Sequence, residues 1–312
     1  MQRVLATAVV VAASATVAPL SSTLTHARHD PYQLVDQAFI LGPTGTATPG
    51  TAYFDTVVTS YLDPNRYTGG TADAVALTTP EQFSGVSYSQ GEVDVIEKLA
   101  ELQQNGGISA SDPVYLFGYS QSSTILSAVD SHLNDPTWME SVLTTDGGRN
   151  FDSLINSDYS PALSPSAADA DAQSVASIDP SDIHVVLVGD PAADPGDGVP
   201  GGFDNAPFTQ FWLQLAGYPE MMGVNTDNDL SPTDVYTVDG DNWAQASQFL
   251  GIPSLSSWQH LAYLGLDAAN FTPLDTVGNT DYFNAADGSF NVVIALADAL
   301  GVDLGLDGII PV

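Results

Sequence analysis

One stretch constrains this chain more than any other. Pro113-Val114-Tyr115-Leu116-Phe117 is a short apolar run that passes through Gly118 straight into a helical pattern at Ile125, Ala128 and Val129. A run without polar alternation reads as a parallel strand covered on both faces. A strand that turns directly into a helix lifts the residue at the turn clear of the backbone and aims a helix N-terminus at it. The residue at this turn is Ser120, in Gly118-Tyr119-Ser120-Gln121-Ser122.

The rest of the chain supplies the same alternation. Ala38-Phe39-Ile40-Leu41 is an early strand-like run that breaks into the loop Gly42-Pro43-Thr44-Gly45-Thr46. Glu92 to Leu102 places Val95, Ile96, Leu99 and Leu102 at helical spacing, and Gly106-Gly107 ends that helix. Ile183 to Val188 repeats the buried-strand signature, and Asp234 to Val238 is a weaker copy. Strands alternating with helices predict an α/β domain with a mostly parallel sheet. Asp146 to Pro180, rich in Ser, Asp and Ala without a period, reads as a surface excursion. Gly196 to Val224 is an apolar insert in which Phe208, Phe211, Trp212 and Met221 either line an acyl pocket that caps the site or form a core helix. The apolar, Gly-punctuated tail from Asn291 to Val312 is expected to pack on the sheet.

Composition removes several functions. The 38 Asp plus Glu against 5 Lys plus Arg give a formal net charge of −33, so no basic surface exists for phosphates or anionic headgroups, and nucleic-acid binding is excluded. With no cysteine, disulfides, thiolate catalysis and Cys-ligated zinc are excluded too. No His/Asp pair has ligand spacing on one helix, so neither a metal nor another cofactor is expected. Met1 to Arg3 is a basic start, and Val4 to Ala18 is an apolar run of about 15 residues with small residues at Ala13, Ala15 and Ala18. A bilayer span needs roughly 20, so residues 1–27 read as a secretory signal peptide rather than a retained anchor, and 28–312 as one domain. Cleavage after Ala15, Ala18 or Ala27 fits, which makes the mature chain secreted or envelope-associated.

The pattern Gly-x-Ser-x-Ser occurs three times, at Gly85, Gly107 and Gly118, so the pattern alone selects nothing. Only Ser120 has a strand before it and a helix after it; Ser87 and Ser109 do not. A serine needs a base, and a histidine held by a carboxylate is the common solution. Of the 5 histidines, His26 and His29 lie beside the leader, His132 sits on the helix after the elbow, and His184 begins a strand. His260 alone follows in the order nucleophile, acid, histidine, with His184 the fallback. For the acid, the strand ending at Val238 empties into Asp239-Gly240-Asp241; Asp239 is the first choice, Asp241 and Asp190 the alternatives. The oxyanion donors are expected to be the backbone N–H of Gln121 and those of Thr44 and Gly45, since Pro43 has none.

Taken in order, these motifs resemble the PE-PPE domain, an α/β-hydrolase family of mycobacteria and related actinobacteria, here without the preceding PE or PPE module. Gly42-Pro43-Thr44-Gly45 is similar to its Gly-Gly-Thr-Gly loop, and Gly118 to Ser122 to its elbow. Val188-Gly189-Asp190-Pro191, Val238-Asp239-Gly240 and His260-Leu261-Ala262-Tyr263 resemble its later segments. The resemblance implies a serine esterase for short- to medium-chain acyl esters, or an acyltransferase building trehalose-type envelope glycolipids. A non-catalytic envelope lipid-binding protein on the same fold is the third expectation, and peripheral envelope association fits all three.

Overall fold

The computed structural model describes residues 36–82, 85–145, 162–193, 225–241, 243–244, 258–286 and 295. Seven strands form one sheet: β1 (Gln37–Ile40), β2 (Ala74–Ala76), β3 (Val114–Tyr119), β4 (Ile183–Val188), β5 (Thr233–Val238), β6 (Thr272–Val277) and β7 (Thr280–Ala285). Their order is β2-β1-β3-β4-β5-β7-β6, and every neighbouring pair is parallel except the β6–β7 hairpin. The expected α/β class, a mostly parallel sheet flanked by helices, is what the chain adopts.

Both faces of the sheet are covered, which explains the non-alternating sequence of β3. Leu116, Val185, Leu187 and Val235 pack on one side against α2 (Gly85–Gln104) and α3 (Gln121–Ser131). Tyr115, Phe117, Val186, Val188 and Tyr236 pack on the other, where α1 (Thr51–Val57) contributes Val57. Helix α2 starts earlier than the Glu92 periodicity predicts and takes in Ser87, and within it Gly91 lets the helix lie close to α3. A Cβ at Gly91 would stand 2.6 Å from Ile125 Cδ1.

One expectation needs correction. The stretch read as an excursion contains α5 (Pro165–Ala176), which follows α4 (Pro136–Thr144). Ser164 accepts from the Ala167 N–H at its N-terminus, Pro165 sits in its first turn, and its buried face is Ala168, Ala172 and Val175. Alanines at that spacing bury a helix without looking hydrophobic, which is why the period was invisible. The hairpin β6–β7 has no strand signal in the sequence, because β6 is solvent-exposed over most of its length and carries no apolar alternation. Among the described residues no helix is long and apolar enough to cross a membrane. Residues 1–27, read as a leader, the insert with Phe208, Phe211, Trp212 and Met221, and all of the tail but the buried Ala295 lie outside the described residues.

The strand order has one consequence for function. After β1 the chain moves outward to β2 and then returns to the far side of β1 as β3, so the loops leaving β1 and β3 diverge at their carboxyl ends. That divergence is where sheets of this kind open a crevice for ligands. Thr44 follows β1 and Ser120 follows β3.

Candidate active site

Ser120 is the apex of the β3–α3 turn, at φ 61° and ψ −118°, a left-handed conformation that a residue with a side chain rarely adopts. Its N–H donates to Val188 O on β4 (2.9 Å), and Ser122 Oγ accepts from the Tyr119 N–H (2.9 Å). Gly118 is required by proximity, since a Cβ there would fall 2.7 Å from the Ser123 backbone. The turn is thus fixed from both sides, with Oγ projecting at the start of α3.

His260 reaches that hydroxyl from the short helix α6 (Trp258–Ala262), with Nε2 2.8 Å from Ser120 Oγ. Its Nδ1 lies 2.9 and 3.1 Å from the two carboxylate oxygens of Asp241. A carboxylate on Nδ1 fixes the proton there and leaves Nε2 to accept from the serine. The Tyr119 hydroxyl donates to the His260 carbonyl, which ties α6 to the end of β3.

The carboxylate that pairs with His260 is therefore Asp241, not the expected Asp239. Asp239 still belongs to the sheet: its N–H donates to Ala285 O (3.0 Å) and its carboxylate accepts from Asn284 Nδ2 (2.9 Å) on β7. Gly240 then takes a left-handed φ of 83°, the Asp241 N–H closes the turn onto Val238 O (3.0 Å), and the reversed chain faces the imidazole. Asp241 is fully buried and accepts from the Trp243 N–H (2.9 Å) and the Tyr263 hydroxyl (2.8 Å) as well. Asp190 serves elsewhere, accepting from Thr124 Oγ1 and the Ala192 N–H, both at 2.9 Å.

The other histidines are occupied. His184 pairs with Asp234 (2.6 Å) and stacks on Tyr115 at the opposite end of the strands from Ser120. His132 stacks on Trp138 with ring centroids 4.2 Å apart. His26 and His29 lie outside the described residues. Ser109 sits in a tight turn beside Ser111, their hydroxyls 3.1 Å apart, away from His260.

Of the expected oxyanion donors, the Gln121 and Thr44 N–H groups have no hydrogen-bonded acceptor among the described residues. Gly45 is removed from the set, because its N–H already donates to Glu81 O (2.7 Å). Thr44 and Gln121 are held together through side chains: Thr44 Oγ1 donates to Gln121 Oε1, and Gln121 Nε2 donates to Ser87 Oγ, each 2.9 Å. Ser87 also accepts from the Gln82 N–H (2.8 Å). Ser87, from the first Gly-x-Ser-x-Ser copy, thus ties the Thr44 loop to the start of α3 through Gln121. Trp258 and Leu261, which flank His260 on α6, are 60% and 50% exposed.

No family model matches the chain, and no curated protein matches it. Among solved structures it is similar to an acetyl xylan esterase at 17% identity, covering 74% of this chain and 91% of that one, with a TM-score of 0.37. An iodinated complex of acetyl xylan esterase gives 18% identity, the same coverages and a TM-score of 0.34. The catalytic core domain of acetyl xylan esterase from Trichoderma reesei gives 11% identity over 86% of this chain and 94% of that chain, with a TM-score of 0.33.

Proposed function

We propose that this chain is a serine carboxylic ester hydrolase that works through an acyl-enzyme. The reading is carried by one observation, the continuous line of hydrogen bonds Ser120–His260–Asp241 ending at the crevice between the β1 and β3 loops. Ser120 Oγ attacks the ester carbonyl while His260 Nε2 takes its proton. The tetrahedral oxyanion accepts from the Gln121 and Thr44 N–H groups, which are the unused donors at that point. Collapse expels the alcohol, which receives the proton from His260. Water then enters, gives its proton to the same nitrogen and attacks the acyl-enzyme; collapse returns that proton from His260 to the departing Ser120 Oγ and releases the acid.

The PE-PPE resemblance supports short- to medium-chain acyl esters as the substrate class, and the leader-like residues 1–27 support action outside the cytoplasm. A fluorophosphonate probe followed by mass spectrometry tests the reading, because only an activated serine reacts. Labelling at Ser120 that disappears in Ser120→Ala is the expected result. Labelling at Ser87 or Ser109, or an unlabelled folded protein, overturns it.

A further inference from the structure

Tyr263 has a buried hydroxyl at the back of the triad. It donates to Asp241 Oδ2 (2.8 Å), the oxygen that also receives His260 Nδ1, and it accepts from the Val238 N–H (3.0 Å). The position of that hydroxyl is over-determined. The Tyr263 carbonyl accepts from Tyr61 Oη (2.6 Å), and its ring meets Tyr119 edge-on at 5.7 Å and stacks parallel to Phe271 at 6.4 Å. Gly189 lies against the ring, where a Cβ would approach Cε2 to 2.9 Å. We propose that Tyr263 is a positioning residue for the hydrolase reaction, holding the Asp241 carboxylate in the rotamer that faces His260 and sharing its charge.

This inference rests on the triad reading above and adds a role that the triad itself does not require. Asp241 follows a left-handed turn at Gly240, so the strand does not determine where its carboxylate points. The Trp243 N–H fixes Oδ1 and the Tyr263 hydroxyl fixes Oδ2, leaving the carboxylate edge toward Nδ1. The titratable groups facing Asp241 are His260, Tyr263 and Tyr119. Burial, and next the charge of Asp241, hold the Tyr263 phenol well above its usual range, so it stays a donor across the working pH.

Tyr263→Phe removes that donor and keeps the ring. With one fewer hydrogen bond, the negative charge of Asp241 falls more heavily on the His260 Nδ1–H, which makes the imidazole more basic. The acid limb of kcat/KM for a p-nitrophenyl ester is therefore expected to move to higher pH, by roughly half a unit or more. In the same variant kcat should fall about tenfold or more with KM little changed. In an Asp241→Asn background the same substitution should add little further loss, because its effect passes through that carboxylate. Tyr236→Phe is the control: its hydroxyl pairs with Asn65 in the same aromatic wall, so it should change thermal stability and leave the acid limb in place.

If folded Tyr263→Phe keeps the wild-type limb and kcat, or its effect adds fully to that of Asp241→Asn, the inference is overturned. Should the variant fail to fold, the wild type carries the test by proton NMR. On phosphonylation of Ser120 and charging of His260, the Tyr263 hydroxyl resonance should move upfield, as Asp241 binds the imidazolium more strongly; an unmoved resonance overturns the inference. A wild type that is not labelled at Ser120 sinks the hydrolase reading itself. A labelled, active wild type with an unaffected Tyr263→Phe sinks only the role of Tyr263.

Discussion

Glu81→Gln is expected to reverse its effect on stability between acid and alkaline pH. Glu81 is 1% exposed beside the oxyanion loop, where its carbonyl accepts from the Gly45 N–H. Thr79 Oγ1 donates to its Oε1 (2.5 Å), and Oε2 has no hydrogen-bond partner among the described residues. Asp94, Tyr53 and Tyr88 are the titratable groups that face it. Burial pushes its carboxyl from the ordinary 4.5 up to about 8. A group whose folded pKa is raised contributes its full stability below the unfolded pKa and loses it as pH rises toward the folded one. The wild type should therefore lose about 1.4 kcal/mol per pH unit from this group between the two values, roughly 3 kcal/mol by neutrality. The amide that replaces the carboxyl in the variant does not titrate, but its NH₂ carries two N–H donors without an acceptor where the acid has one O–H, and the extra donor costs roughly 1–3 kcal/mol at every pH. The two stability curves should cross between roughly pH 5 and 7, with the variant weaker below the crossing and stronger above it. Urea unfolding of both proteins at pH 4.5, 6, 7.5 and 9 reads this directly. A stability difference that stays constant with pH refutes the claim that Glu81 is buried as the neutral acid.

Asp241→Asn should lower kcat on the order of 10⁴-fold with KM nearly unchanged, whereas Asp239→Asn should be mild because that carboxylate serves Asn284; steady-state kinetics of the two variants separates the acids. Gly118→Ala should lower the melting temperature and abolish labelling at Ser120, since its methyl group meets the Ser123 backbone; normal labelling of a stable variant would refute the close approach. Trp258→Ser with Leu261→Ser should spare turnover of a soluble acetate ester and weaken action on emulsified triacylglycerol, because these exposed side chains flank His260. Equal loss on both substrates would count against that surface.

The elbow was legible because its signal is local. The buried run of β3, the glycine and the helical period that follows occupy adjacent residues, and no distant contact alters them. His260 was legible from chain order. The choice between Asp239 and Asp241 was not, because two carboxylates around Gly240 are equivalent in sequence. The left-handed turn and the Tyr263 hydroxyl, contributed from a segment more than twenty positions on, decide between them. Gly45 failed as a donor for a similar reason, since its N–H is used by Glu81 from across the loop. Helix α5 shows no apolar period because its inward face is mainly alanine.

The backbone angle at Ser120 implies an opposition between durability and chemistry. A residue with a Cβ held at φ 61° stores roughly 1–3 kcal/mol that glycine would not. Ser120→Gly should therefore yield an inactive protein that survives heat better than the active one. Any search for more robust versions of this chain that screens on folding alone will drift toward that glycine, and only a screen that also demands turnover will keep the serine.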